Sequence, residues 1–341
     1  MKTLLMQFFL GGIMNFFKYF FILCSAVFIL TNASAKDLKI AFFAASSENG
    51  YNQAIWEGVK AAADEAGVVS ALYNGEFNAT LQYQQIEDIV ASKEFDGFVV
   101  APNDTVGIAG AIEEAIAAGL KVGTALFPIG PDLTKLEPQV EGLTATAAGS
   151  PIYTAVLMAK GVIDFCQGKD PCNTIIMIGQ KIYPFDKLRY DTFLDELGKH
   201  SNIKILATVE GNYSPDISLT GMTDALQSAK NIHAVLSNAD QHLLGAEIAL
   251  ADEGYNVADI YLMGGGASAI AIEAIKEGRW DATLAFFPFT EGYLSAKAVI
   301  GALQGKEVDS VYDMSIVGTI EPVVTKEVLD ANPDWKPEWE G

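Results

Sequence analysis

The stretch "LKIAFFAASSENGYNQAIWEGVKAAADEAGVVSALY", Leu38 to Tyr73, contains the repeating unit of the fold. Its first residues form a short apolar run, as expected of a strand covered on both faces. A polar and aromatic loop follows with Asn49, Tyr51 and Asn52. The next residues place Ile55, Val59, Ala62 and Ala66 on one side of a helix, and Trp56 falls within it as a packing residue. "VVSALY" then reads as a second strand. Strand, helix, strand in this order implies parallel pairing with a crossover helix. The loop between the first two elements is either a plain surface turn or a prepared place for a small molecule.

The unit recurs along the chain. "LQYQQIEDIVAS" is a helix and "GFVVAP" a strand; after Asp104 and Thr105, good caps, come the helix "VGIAGAIEEAIAAGL" and the strand "KVGTAL". A second round begins near Gly149 with the helix "YTAVLMAKGVIDF" and the strands "TIIMIG", "IKILATV", "HAVLSN" and "DIYLMG", with helices between them. Two open sheets in one chain mean two lobes. The stretch "PIGPDLTKLEPQVEGLTATAAGS" is rich in Pro and Gly, as a connection between lobes would be.

Composition narrows the function. The chain has 22 Lys plus Arg against 43 Asp plus Glu. With no basic run, it lacks the clustered cations that nucleic acid or an anionic lipid surface requires. At the amino terminus, Lys18 precedes the apolar "YFFILCSAVFIL", and Ala33, Ser34 and Ala35 supply the small residues of a cleavage site. Residues 1–35 therefore read as a secretory signal cleaved after Ala35, and Met14 offers a start that would give a signal of more ordinary length. Cys24 follows Leu23, where a lipid-anchored precursor needs a small side chain. The expected product is a soluble periplasmic protein.

Cys166 and Cys172 in "CQGKDPC" flank Gly168 and Pro171, a turn that would let them close as a disulfide in an oxidising compartment. His200, His233 and His242 do not cluster with them, so no metal site is expected. No nucleophile elbow of the G-x-S-x-G kind accompanies a histidine, and the cleft loops carry amides and aromatics where catalysis would need acids. Neither a catalytic residue nor a cofactor is expected. "GGGASA" from Gly264 lacks the spacing of a dinucleotide loop, and a close backbone approach to a ligand at Gly266 suits it better. In open parallel sheets ligands meet the loops at the carboxyl ends of strands. Asn49, Tyr51, Asn52, Asn103, Phe127, Tyr183, Tyr213, Asn238, Gly264 to Gly266 and Phe286 all stand at such ends.

With these residues in view, "NGYNQAIWEG", "FDGFVVAPNDTVGIAGAI", "LRYDTF", "AVLSNADQHLLGAEIAL" and "GRWDATLAFFP" follow one another in an order that resembles the ribose-binding-like, type I periplasmic binding proteins of ABC importers. The resemblance spans the chain after the signal. It implies an α/β fold of two doubly wound parallel-sheet lobes joined by three crossovers, closing over a small molecule and delivering it, as a monomer, to a membrane permease. The expected lobes are 36–141 plus 288–318 and 142–287 plus 319–341. Carried over position by position, the resemblance is imperfect. Asn49 and Tyr51 fit, while Asn52 stands for a second aromatic. Leu126 and Phe127 replace an Asp-Arg pair, and Lys187 stands for an Arg. Arg189 matches a further Arg with a structural role. Ala239 replaces an Asn, with Asn238 adjacent, and Phe286 replaces a Gln.

The ligand set expected from sequence is therefore Asn49, Tyr51, Asn52, Asn103, Phe127, Lys187, Tyr213, Asn238, Gly266 and Phe286. The family implies a sugar or sugar-like ligand. The apolar exchanges keep an alternative open, a less polar, aromatic or nucleoside-like molecule stacked between Phe127, Tyr213 and Phe286. Presentation of a ligand to a chemoreceptor would use the same fold.

Overall fold

The computed structural model describes residues 38–341. The export signal, its cleavage point, Met14 and Cys24 lie outside the described residues.

Lys39–Ala44 forms β1 and Gly50–Ala66 forms α1. Alternate residues of β1 enter different cores: Ile40, Phe42 and Ala44 pack beneath α1, and Ala41 and Phe43 pack on the opposite face. The unbroken apolar run is thus the signature of a strand with both faces covered. Asn49 caps α1 by accepting from the backbone N–H of Asn52, which satisfies one of the helix's free donors. Gly67 ends it at φ 66°, a left-handed conformation that a Cβ disfavours. The first lobe continues through β2 (Val69–Asn74), α2 (Ala79–Ser92), β3 (Gly97–Val100), α3 (Ala109–Ala117), β4 (Lys121–Leu126) and β5 (Ala145–Ala148).

The second lobe takes α4 (Pro151–Phe165), β6 (Cys172–Ile178), α5 (Pro184–Gly198), β7 (Ile203–Glu210), α6 (Pro215–Ser228) and β8 (Ala234–Ser237). It is completed by α7 (Asp240–Asp252), β9 (Tyr261–Gly266), α8 (Ala269–Glu277) and β10 (Ala282–Ala285). The chain then returns to the first lobe as α9 (Pro288–Leu303) and β11 (Val311–Asp313), and to the second as β12 (Val323–Thr325) and α10 (Lys326–Ala331). Each lobe holds a six-stranded sheet, ordered β11-β5-β4-β3-β1-β2 in the first and β12-β10-β9-β8-β6-β7 in the second. Neighbours are parallel throughout except for the antiparallel pair β10 and β12.

Three passages therefore join the sheets: one after β5, one after β10 and one between β11 and β12. The expected boundary at 141/142 falls one strand too early. Ala145–Ala148 pairs with β4 and β11 in the first sheet, so the first passage lies at Gly149 and Ser150. The Pro- and Gly-rich stretch before it is a first-lobe loop that supplies Ile129, Val140 and Leu143 to the core under α2 and α3. The carboxyl-terminal tail, expected wholly in the second lobe, sends Trp339 into the core of the first. Cys166 and Cys172 close as a disulfide between α4 and β6, with Cα atoms 5.6 Å apart.

The closest helix pair in the first lobe is α1 against α9, and glycine makes it possible. A Cβ on Gly58 would lie 2.0 Å from the carbonyl oxygen of Phe289, and one on Gly292 would lie 2.0 Å from that of Ile55. Each meets backbone, which cannot rotate away as a side chain can. Replacing Gly292 by Ala should therefore lower stability by at least the 1–3 kcal/mol, roughly, that overpacking costs. A thermal melt of Gly292→Ala that superimposes on the wild type would contradict this packing.

Candidate functional site

The strand exits of both sheets face one another across a narrow cleft with about 750 Å³ of empty space, solvent at its mouth included. Eight of the ten residues expected from sequence line it: Asn49, Tyr51, Asn52, Asn103, Phe127, Tyr213, Asn238 and Phe286. The opening loop therefore lines the cleft between the lobes.

On the first-lobe side, amides hold the loops in place. Asn49 Oδ1 accepts from the Asn52 backbone and side chain, while Asn52 Oδ1 accepts from Ala45 N at 2.9 Å. Asn103 Nδ2 donates to Ala45 O, and its backbone N–H donates to the buried Gln82. Tyr51 donates to Glu291 Oε1 at 3.0 Å, and its ring meets those of Trp339 and Phe286 edge-on. Burial, with the neighbouring Glu291 carboxyl, raises the Tyr51 phenol well above its usual value, so it stays a donor.

The second lobe supplies a polar network. Asp186, in the first turn of α5, accepts from the backbone N–H of Gln180, from Tyr213 Oη and from Asn238 Nδ2. Burial pushes its carboxyl up, against the hydrogen bonds from Tyr213 and Gln180 that pull it down. Arg189, one turn further on, donates to the carbonyl of Asn238 at 2.8 Å and lies over the rings of Phe185 and Phe286. Arg189 Nε and Asn238 Oδ1 are buried with no partner in the protein. Such groups cost about 1–3 kcal/mol each unless something pairs with them. The rings of Phe77 and Tyr213 stack across the cleft, and Tyr183 Oη donates to the carbonyl of Phe77.

Three expectations need correction. Lys187 does not reach the cleft: its ammonium pairs with Asp191 on the exposed side of α5. Arg189, read as structural, is the cation that faces the cleft, because two residues along a helix turn the side chain by about 200°. Gly266 does not present bare backbone to a ligand either. The space beside it is filled by Trp339, whose ring lies 2.4 Å from where a Cβ would stand and whose Nε1 donates to Gly266 O. Gly265 lines the cleft in its place. The preceding Gly264 makes room for the Asp240 carboxylate, 2.4 Å from its would-be Cβ. Asp186, Phe185, Phe77, Gln180 and Trp339 were not anticipated. The spacing of Asp186 and Arg189 just after a strand was a usable signal, whereas Trp339 had none.

Sequence comparison agrees with this architecture. Residues 40–307 match the model of the periplasmic binding protein domain, and the chain belongs to that family. The ribose import binding protein of Bacillus subtilis is 23% identical over 285 residues, covering 81% of this chain and 85% of the relative. The D-apiose import binding protein of Actinobacillus succinogenes is 25% identical over 240 residues, covering 70% and 73%. An ABC transporter solute-binding protein of Bacillus halodurans, solved with myo-inositol, superimposes with a TM-score of 0.76 at 21% identity, covering 89% of this chain and 99% of that one. Another from Actinobacillus succinogenes, solved with D-allose, gives 0.73 at 21% identity, covering 86% and 99%. The resemblance read from the sequence and the two-lobed parallel fold it implied both hold.

Tyr213 sits at φ 53°, and its backbone N–H donates to Nε2 of the buried His242 at 3.0 Å. The neutral ring must then carry its proton on Nδ1, toward Ser237 Oγ. Burial, reinforced by Arg189, lowers the His242 pKa to about 3 from 6.5. A depressed folded-state value gives stability that is present above pH 6.5 and lost as pH falls toward 3, by about 1.4 kcal/mol per pH unit. Asp240 has the opposite sign: burial raises it to about 6, so its contribution is present below its ordinary value of 3.8 and lost as pH rises through 6. Comparing wild type with His242→Gln at each pH isolates the histidine. The stability advantage of the wild type should shrink steadily from pH 7 to pH 4, and parallel profiles would show that His242 is not held neutral.

Proposed function

We propose that this protein is the substrate-binding component of an ABC importer, capturing a sugar or polyol between its lobes and presenting it to a membrane permease. The observation that carries the reading is the pair of unpartnered buried groups, Arg189 Nε and Asn238 Oδ1, set among aromatic rings at one cleft. Sugars offer hydroxyls that both donate and accept, together with C–H faces that cover aromatic rings. A donor and an acceptor left open beside Phe286 and Tyr213 suit that combination.

The aromatic or nucleoside-like alternative is not favoured. It would leave the hydrogen-bonding side chains Asp186, Arg189, Asn238 and Gln180 of the second-lobe wall with little to pair with. Two of the similar structures solved with a ligand hold D-allose and myo-inositol, and others hold arabinose or glycerol, which supports a polyhydroxylated ligand here. Capture proceeds by hinge closure about the three passages: the ligand touches both lobes, and closure is favoured only by its tighter binding to the closed arrangement. The family and its relatives support export to the periplasm; a mature chain beginning at Lys36 rests on the small residues Ala33, Ser34 and Ala35 alone. Binding without chemistry is consistent with a solute-binding family and with a cleft whose carboxylate, Asp186, is already engaged in hydrogen bonds.

A thermal-shift panel of hexoses, pentoses, hexitols and inositols on the full chain should yield at least one stabilising ligand. A compound at a hundred times its dissociation constant adds about 2.7 kcal/mol. Arg189→Met should weaken that ligand at least about tenfold, the lower range for a charged hydrogen bond, while Lys187→Ala should leave it unchanged. Stabilisation by nucleosides with no response to any sugar or polyol would overturn the reading.

A further inference from the structure

Beneath the main cleft, on the hinge side, lies a small side pocket with room for only a few heavy atoms. It shares Tyr51, Leu126, Phe127, Phe185, Arg189 and Phe286 with the cleft, so the two lie side by side with these side chains between them. Its mouth is mostly apolar and its far wall carries Glu291, from the first turn of α9. Glu291 is 2% exposed. Oε1 accepts from Tyr51, but Oε2 is buried without any partner in the protein. A carboxyl group placed there by packing alone would carry an uncompensated desolvation cost, so the missing partner is expected to come from outside the chain.

We propose that this side pocket is a subsite for an exocyclic hydroxymethyl arm, with Glu291 Oε2 pairing the terminal hydroxyl, so that the ligand is a hexose-sized sugar or polyol. The inference rests on the sugar reading and narrows it. The methylene of such an arm lies against Phe127 and Phe286, and the hydroxyl ends at the only carboxyl group lining the side pocket. Burial, with Glu338 nearby, raises the Glu291 carboxyl well above its usual range. A hydroxyl can accept from the neutral acid or donate to the carboxylate, so it matches either form. An ammonium would have to ionise the acid while facing Arg189 across the same pocket.

The test is calorimetric binding of the full chain to the tightest hexose or hexitol and to its analogue lacking the terminal hydroxyl. The wild type should prefer the hydroxylated compound by about tenfold or more, and Glu291→Met should bring the two affinities to within about twofold. The ratio is insensitive to a general loss of affinity. A crystal structure of the wild-type complex, which needs no variant, should show a ligand hydroxyl oxygen within about 3.2 Å of Glu291 Oε2. Equal affinities in the wild type, a preference that survives in Glu291→Met, or tight pentose binding with hexoses excluded would overturn the subsite and leave the sugar reading standing. Binding of no sugar or polyol at all would overturn both.

Discussion

Parallel strand pairing is the constraint from which the rest of this structure follows. A parallel neighbour cannot be reached by a tight turn, so most strands are followed by a helix that carries the chain back along a face of the sheet, and a long loop does this between β4 and β5. All the loops after strands then emerge at one edge. Both sheets of this protein are built this way, with β12 alone antiparallel. Because the chain passes between the sheets three times, the two loop-bearing edges are held facing each other. Ala45 and Asn49, Pro102 and Asn103, Phe127, Gln180, Tyr213 and Asn238 come from different units of the repeat, yet all line one cleft.

Within that cleft the two lobes do different work. The first contributes amides whose hydrogen bonds are mostly spent on one another and on the backbone, so Asn49, Asn52 and Asn103 fix the shape of the loops. The second contributes a network with unspent capacity. Asp186 gathers Tyr213, Asn238 and a backbone N–H, which positions these groups while Arg189 Nε and Asn238 Oδ1 remain unpaired. His242 and Ser237 stand behind Tyr213 and hold its backbone in a left-handed conformation. Such a preorganised wall loses little entropy when a ligand arrives.

The carboxyl-terminal tail adds a bond between the lobes that is not one of the three covalent passages. Glu338 accepts from the backbone and hydroxyl of Thr290 at the start of α9, in the first lobe. The carbonyls of Trp339 and Glu340 accept from Ala269 and Ile270 at the start of α8, in the second. Trp339 itself closes the cleft between Tyr51 and Gly266. Hydrogen-bond donors at two helix starts, which have no partner within their helices, are thereby satisfied from the far end of the chain.

What the sequence determined by itself was the pattern carried by neighbouring residues: apolar runs, helical spacing, caps and the positions where strands end. Those local signals were enough for two parallel-sheet lobes and for eight of the cleft residues, since a strand exit lies at the cleft whatever its side chain. Tertiary structure decided everything that depends on orientation or on distant partners. Lys187 and Arg189 sit on one helix two residues apart, and only the packing of α5 determines which of them faces inward. Gly266 and Trp339 are 73 residues apart, and Tyr51 and Glu291 are 240 apart. No periodicity links such positions, because their contact energy exists only once the lobes have brought them together.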